Sequence, residues 1–341
     1  MTRTFIYDGT FKLECGETIA NLHLAYTTVG VINEKKDNVI WIFHALTGNS
    51  NPLEWWPGLV GEGCLITPEK YFIVCVNMPG SCYGSIGPLS MNSQNGKPYF
   101  HSFPWFTTRD MINAYKLLRI DLGINNIKVG IGGSMGGQQL LEWAIEEPSL
   151  FETIIPIASN AKHSAWGIAF NASQRLCIEN DVTWKEENKL AGINGMKTAR
   201  SIALLSYRNH ETYDKLQQGT TSATTHLPVN EHVFKAETYQ QYQGEKLAKR
   251  FNAFSYYALS KAMDNHNVGR GRGNVISALK QIKAKVIAIS ISTDLLFPPQ
   301  EQAFVAKHVH NGQHRIIESL YGHDGFLLEY QQLTAIIGEY F

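Results

Sequence analysis

The sequence predicts an α/β fold: a mostly parallel sheet with helices on both faces, interrupted by an inserted helical subdomain. Three observations carry this expectation. Short, continuously apolar runs recur along the chain, and helical patterns lie between several of them. Over about 160–275 that rhythm stops, giving way to a polar stretch rich in Lys, Gln, Asn and Tyr with mainly helical windows. Continuous rather than alternating hydrophobicity is what strands covered on both faces require. Strand–helix alternation implies parallel pairing through right-handed crossovers. An interval of roughly 110 residues is too long for a loop and is expected to be a subdomain. The reading is a core of 1–159 and 276–341, with 160–275 as a helical lid insertion.

Taken in order, residues 3–29 show shorter alternating segments around Gly9 and Gly16, expected as antiparallel strands at the sheet's edge. Buried strands are expected at 38–46 (NVIWIFHAL), 71–78 (YFIVCVNM), 127–133 (IKVGIGG), 152–158 (ETIIPIA), 285–292 (KVIAISIS) and 314–320 (HRIIESL). Core helices are expected over 108–122, 135–147, 299–310 and 326–339. Inside the insertion the helical windows are 164–180, 195–209 and 245–263. The tract Gly269-Arg270-Gly271-Arg272-Gly273 reads as a flexible return from the insertion rather than an RNA-binding segment.

Composition narrows the function classes. The chain has 341 residues, 44% hydrophobic and 18% charged, which is ordinary globular material with ample core. Its 30 basic and 30 acidic residues cancel, so no global field favours nucleic acid. Five cysteines (Cys15, Cys64, Cys75, Cys82, Cys177) form an odd set without CxxC spacing, which argues against a disulfide framework or a zinc site and for a reducing cytoplasm. No stretch approaches the ~18 apolar residues of a membrane span, and the N-terminus lacks an apolar leader core, so a soluble intracellular protein is expected.

The sharpest chemical signal is Gly132-Gly133-Ser134-Met135-Gly136, between an apolar strand and a helix. So tight a strand-to-helix turn crowds the backbone, and glycines two residues either side of the serine relieve the conflict. The hydroxyl is then presented at the sheet's carboxyl edge, above a helix N-terminus that favours developing negative charge. A serine at its free pKa needs a base, and the base an orienting acid. In this architecture they follow in the order Ser, Asp or Glu, His, on loops after later strands. Asp294 follows the strand at 285–292, and His323 follows the strand at 314–320. Ser134, Asp294 and His323 are therefore the expected triad. The oxyanion donors are expected to be the backbone N–H of Met135 and that of Leu46, in His44-Ala45-Leu46-Thr47-Gly48 after an early strand.

Together these segments resemble the homoserine O-acetyltransferase family of α/β-hydrolase-fold enzymes. The resemblance runs over most of the chain, through HALTG (44–48), YFIVCVNMPGSCYGSIGP (71–88), FPWFTTRD (103–110), GGSMGG…LEW (132–143), RFNAFSYYALSKAMD (250–264), the STDLLFPP segment and YGHDGFL (321–327). Its most specific parts are His323-Asp324 and Asn77…Cys82-Tyr83-Gly84-Ser85. It implies that Arg200 clamps the homoserine carboxylate, that Tyr207 lines the same pocket two helical turns on, and that Asp324 receives the ammonium group. It also implies acetyl-CoA as the acyl donor, an acetyl-serine intermediate in a ping-pong cycle, a step of methionine synthesis, and a homodimer through the lid. Two positions depart from the family pattern. Gln138 stands where many members have Met and Asn49 where many have Asp, both expected near the acyl pocket or its entrance.

Other readings stay in view. Succinyl-CoA as donor or serine as acceptor would use the same scaffold. A serine esterase or hydrolase would share the acyl-enzyme but not need the Arg200/Asp324 pair, and a catalytically silent binding protein would not need the triad. No GxxxxGK(S/T) or GxGxxG lies in a usable strand–helix setting, so no nucleotide cofactor is expected. His308, His310 and His314 lack a glutamate or cysteine partner and read as a solvated helix end, so no metal is expected. Trp55-Trp56 is expected to line the pocket or to pack under the lid.

Overall fold

The structure is a computed structural model that describes residues 2–341. Its main sheet has eight strands: β1 (Thr2–Lys12), β2 (Thr18–Val29), β3 (Val39–Phe43), β4 (Phe72–Val76), β5 (Ile127–Gly133), β6 (Phe151–Ile157), β7 (Lys285–Ile291) and β8 (Gly312–Ile317). They lie in the order β1-β2-β4-β3-β5-β6-β7-β8. The pairs β1–β2 and β2–β4 are antiparallel, and every pair from β4 to β8 is parallel. The antiparallel strands β1 and β2 are long, 11 and 12 residues, where short segments were expected.

Both faces of the central strands are covered, which explains their unbroken hydrophobicity. In β3, Val39, Trp41 and Phe43 enter one core, and Ile40 and Ile42 enter the other. On the first face the Trp41 ring meets Trp143 edge-on, with centroids 4.9 Å apart. Trp143 belongs to one of the core helices, α2 (Met135–Glu146), which follows α1 (Thr108–Asp121). Each large side chain so buried contributes on the order of 1.5–3 kcal/mol of transfer free energy. Because β3, β5, β7 and β8 run parallel, the loops that carry His44, Ser134, Asp294 and His323 all leave one edge of the sheet. Strand order reverses around β3, and such a switch point leaves a crevice at the carboxyl edge.

Between β6 and β7 come five helices of seven residues or more: α3 (Ala165–Glu179), α4 (Ile193–Tyr207), α5 (His210–Leu216), α6 (Lys235–Ala248) and α7 (Ala253–Asp264). The expected single helix over 245–263 is two helices. The chain breaks at 249–252, and Asn252 caps α7 by accepting a hydrogen bond from the Ser255 N–H at 2.8 Å. At the carboxyl end, α8 (Pro299–His308) follows β7. The expected helix over 326–339 is a short turn at Gly325–Leu328 followed by α9 (Tyr330–Ile337).

The Gly-Arg tract is not a loose return. Arg270 pairs with Glu14 at 2.6 Å, and Arg272 pairs with Glu142 and Glu146, each at 2.7 Å. Arg109 joins Glu14 and Glu142 to the same network. Its arginines fasten the insertion's exit to α1, α2 and the β1–β2 connection. His314 is also not at a helix end: it lies in β8, with Nε2 2.6 Å from the Ser290 hydroxyl. No described helix is long and apolar enough to cross a membrane.

Candidate active site

The turn from β5 into α2 puts Ser134 at φ 56°, ψ −127°, a left-handed conformation uncommon outside glycine. Two glycines make the turn possible. A Cβ on Gly132 would lie 2.7 Å from the Gly136 backbone, and one on Gly136 only 2.2 Å from the Phe43 carbonyl oxygen. Serine at a helix N-cap ordinarily accepts a hydrogen bond from the first turn. Here the strained backbone turns the hydroxyl away, so it caps nothing and faces a cavity of about 470 Å³.

His323 opens into the same cavity. Its Nδ1 lies 2.7 Å from Asp294 Oδ2, and both side chains are almost wholly buried. Asp294 is fixed in turn, because its Oδ1 accepts from the Leu296 N–H at 2.8 Å and the Phe297 N–H at 2.9 Å. The imidazole is walled by Phe297, Phe326 and Tyr207, with centroids 5.1, 5.6 and 5.7 Å away. Burial works against charging His323, but the Asp294 carboxylate and its hydrogen bond, helped by Asp324, outweigh it. The net result is a pKa above the ordinary histidine value. The Asp294 and His323 loops are also joined. Thr293 Oγ1 donates to the Ser319 carbonyl at 2.6 Å and accepts from the Gly322 N–H at 3.1 Å. Gly322 has φ 61°, and a Cβ there would meet the Tyr207 carbonyl oxygen at 2.9 Å, so α4 packs directly on the histidine loop.

The two expected oxyanion donors belong to residues placed at this site. Leu46 lines the cavity. Met135 is the first residue of α2, where N–H groups have no partner within the helix.

Arg200, Tyr207 and Asp324 line the cavity as well. The Arg200 guanidinium lies 5.2 Å from the centre of the Tyr207 ring. Asp324 is not free: Arg208, unremarked in the sequence, pairs with it at 3.2 Å. Trp55 lines the cavity, its Nε1 donating to the Asn49 carbonyl at 2.9 Å. Trp56 is fully buried beneath and donates to the Phe326 carbonyl. Asn49 is at the cavity, as expected. Gln138 is not: it is buried below, with Nε2 2.9 Å from Asn160 Oδ1. Lys246 and Arg250 also reach the cavity. Arg250 heads the quoted RFNAFSYY segment, so the signal was present, but a lone arginine there carries no role until its partners are known.

Comparison with known proteins identifies the fold and the family. Residues 38–330 match the family model described as alpha/beta hydrolase fold. The chain is 49% identical over 342 residues to the homoserine O-acetyltransferase of Cyclobacterium marinum, covering 100% of this chain and 95% of that one. Among solved structures it is similar to homoserine O-acetyltransferase from Bacillus anthracis, with a TM-score of 0.89, 22% identity, and 100% and 97% coverage. Esterase E22 superposes equally well, with a TM-score of 0.87, 24% identity, and 100% and 99% coverage; at these identities both likenesses speak for the fold alone. By its sequence relatives and its fold, the chain belongs to the homoserine O-acetyltransferase family, acyltransferases built on the α/β-hydrolase fold.

Proposed function

We propose that this chain transfers the acetyl group of acetyl-CoA to the hydroxyl of L-homoserine by double displacement on Ser134. The Ser134 hydroxyl attacks the thioester carbonyl as its proton passes to His323 Nε2, while Asp294 holds Nδ1 and offsets the positive charge. The Leu46 and Met135 N–H groups receive the oxyanion. His323 returns the proton to the departing CoA thiolate, leaving an acetyl-serine. Homoserine then enters, His323 takes its hydroxyl proton, and the alkoxide attacks the acetyl carbonyl. The second tetrahedral intermediate collapses as His323 returns that proton to the departing Ser134 oxygen, giving O-acetyl-L-homoserine, a product on the way to methionine, and the resting enzyme.

One observation favours transfer over hydrolysis: a guanidinium without a carboxylate partner stands in the same cavity as the serine. Arg200 lies over Tyr207 and forms no ion pair among the described residues. A planar fork held by a ring is suited to bidentate capture of an α-carboxylate. The substrate ammonium would share Asp324 with Arg208. Arg200→Ala is therefore expected to slow the homoserine half-reaction while leaving acylation by acetyl-CoA nearly intact. Loss of one charge-assisted contact corresponds to about 2–5 kcal/mol. Lys at this position should recover part of the rate. Single-turnover measurement of each half-reaction checks this, and a fully active Arg200→Ala would return the acceptor assignment to open choice between homoserine, serine and water.

The helical insertion acts as a lid over the acyl-enzyme, excluding water that would otherwise compete with homoserine. It exposes Trp166, Leu176, Leu190, Leu205 and Phe234, an apolar set suited to burial between two copies. A homodimer through the lid is expected in sedimentation at micromolar concentration, and a monomer there would remove it. The five free thiols suit a reducing cytoplasm.

A further inference from the structure

The loop that carries Leu46 is held at three points, and one of them comes from the insertion. From below, His44 is buried, its Nδ1 2.9 Å from the Ala45 carbonyl and its Nε2 accepting the Met78 N–H at 3.1 Å. At the far end, the Ser50 N–H donates to Asn77 Oδ1 at 2.7 Å. From above, Arg250 Nη1 donates to the Thr47 carbonyl and to the Tyr83 hydroxyl, each at 2.6 Å. The circuit closes, because Asn77 Nδ2 donates to the Tyr83 carbonyl at 2.8 Å and the Tyr83 ring meets Phe251 edge-on at 5.8 Å. Three separate pieces of chain are thereby joined: the loop after β3, the loop after β4, and the break between α6 and α7. This gives the Asn77…Tyr83 segment, distinctive in sequence but idle in the chemistry, a structural purpose.

We propose that Arg250 is a positioning residue for the oxyanion hole, acting on the Leu46 N–H through the Thr47 carbonyl that it fixes. The peptide unit of that carbonyl carries the Gly48 N–H, which donates to the Ala45 carbonyl at 2.8 Å, and the Ala45 carbonyl shares its peptide plane with the Leu46 N–H. This rests on Leu46 serving as an oxyanion donor. A donor stabilises the oxyanion only when it is aimed at the position that atom will occupy. Arg250 therefore ties the insertion to oxyanion stabilisation: the hole is complete when the α6–α7 break is seated on the core. Both half-reactions pass through an oxyanion, so both depend on it.

The side chain is exposed at the cavity rim, and a phosphate contact to the acyl donor is the competing role. Two donors separate them: acetyl-CoA, and p-nitrophenyl acetate, which carries no phosphate. Single-turnover acylation and homoserine-driven deacylation are measured for the wild type, Arg250→Gln, Arg250→Lys and Tyr83→Phe, with thermal unfolding monitored for each. The expected result for Arg250→Gln is a fall of about 10–100-fold in acylation with both donors and a similar fall in deacylation, as for a misaimed rather than deleted donor. Arg250→Lys should recover part of it. Tyr83→Phe, which leaves the Thr47 bond but loosens its holder, should show a smaller fall of the same pattern even where the Gln variant does not fold. A loss confined to acetyl-CoA would make Arg250 a phosphate contact, and unchanged rates would make it a surface contact; either overturns the proposal. Failure of the wild type to acylate Ser134 with either donor would instead overturn the acyl-enzyme reading beneath it.

Discussion

Ser134→Ala is expected to reduce acyl transfer by several orders of magnitude, about 10⁴–10⁶-fold by analogy with other serine nucleophiles, without unfolding the protein. The hydroxyl caps nothing in α2, so its loss leaves no helix donor newly unpaired. Alanine accepts the positive φ at a cost close to that of serine. Thermal unfolding of the variant should thus stay near wild type while thiol release from acetyl-CoA in the presence of homoserine nearly vanishes. Residual turnover would reflect the cavity and the N–H groups of Leu46 and Met135 acting on bound substrates without a covalent intermediate. A variant retaining a tenth of wild-type activity would contradict nucleophilic catalysis at this position.

Asp294→Asn is expected to cost about 10³–10⁴-fold and to move the pH profile. Burial alone would depress the His323 pKa, and the Asp294 charge and hydrogen bond lift it above the ordinary value. The base must be neutral to accept the Ser134 proton, so the wild-type rate falls as pH drops through that raised pKa. Asparagine removes both main lifting causes, leaving burial and the weaker pull of Asp324. The acidic limb should therefore shift to lower pH in the variant even as the plateau collapses. Asparagine also offers an amide in place of one carboxylate oxygen, which disturbs the imidazole tautomer that Asp294 now holds at 2.7 Å. An acidic limb that stays in place would mean that another group sets the pH dependence.

What was legible in the sequence follows from what each residue had to satisfy locally. The central strands could be read because burial on both faces demands unbroken apolar runs, and their ends match the structure to within a few residues. Ser134 and Asp294 could be found because each lies just past such a strand; His323 follows β8, which was expected to be buried but is the sheet's edge, with only Ile317 fully buried. The long antiparallel strands were underestimated, since a half-exposed strand alternates and β1 carries a register shift between Tyr7 and Thr10. The division of 245–263 into α6 and α7 falls at Arg250-Phe251-Asn252, which contains neither proline nor glycine; the one local signal is Asn252, the cap of α7, while the contacts of Arg250 with Thr47 and Tyr83 are made only by the fold. Ion pairs were beyond a linear reading. Nothing near Asp324 in sequence announces Arg208, and nothing near Arg270 announces Glu14, because both partnerships are made by the fold.

The most direct test of double displacement is the mass of the intact protein after mixing with acetyl-CoA alone, followed by peptide mapping and then addition of L-homoserine. The account predicts one acetyl group per chain, located on Ser134, with one equivalent of CoA released before homoserine is present. Homoserine should then discharge the acetyl group as O-acetyl-L-homoserine faster than water discharges it as acetate. An enzyme that turns over with both substrates, yet carries no acetyl group at Ser134 and releases CoA only once homoserine is added, would contradict it.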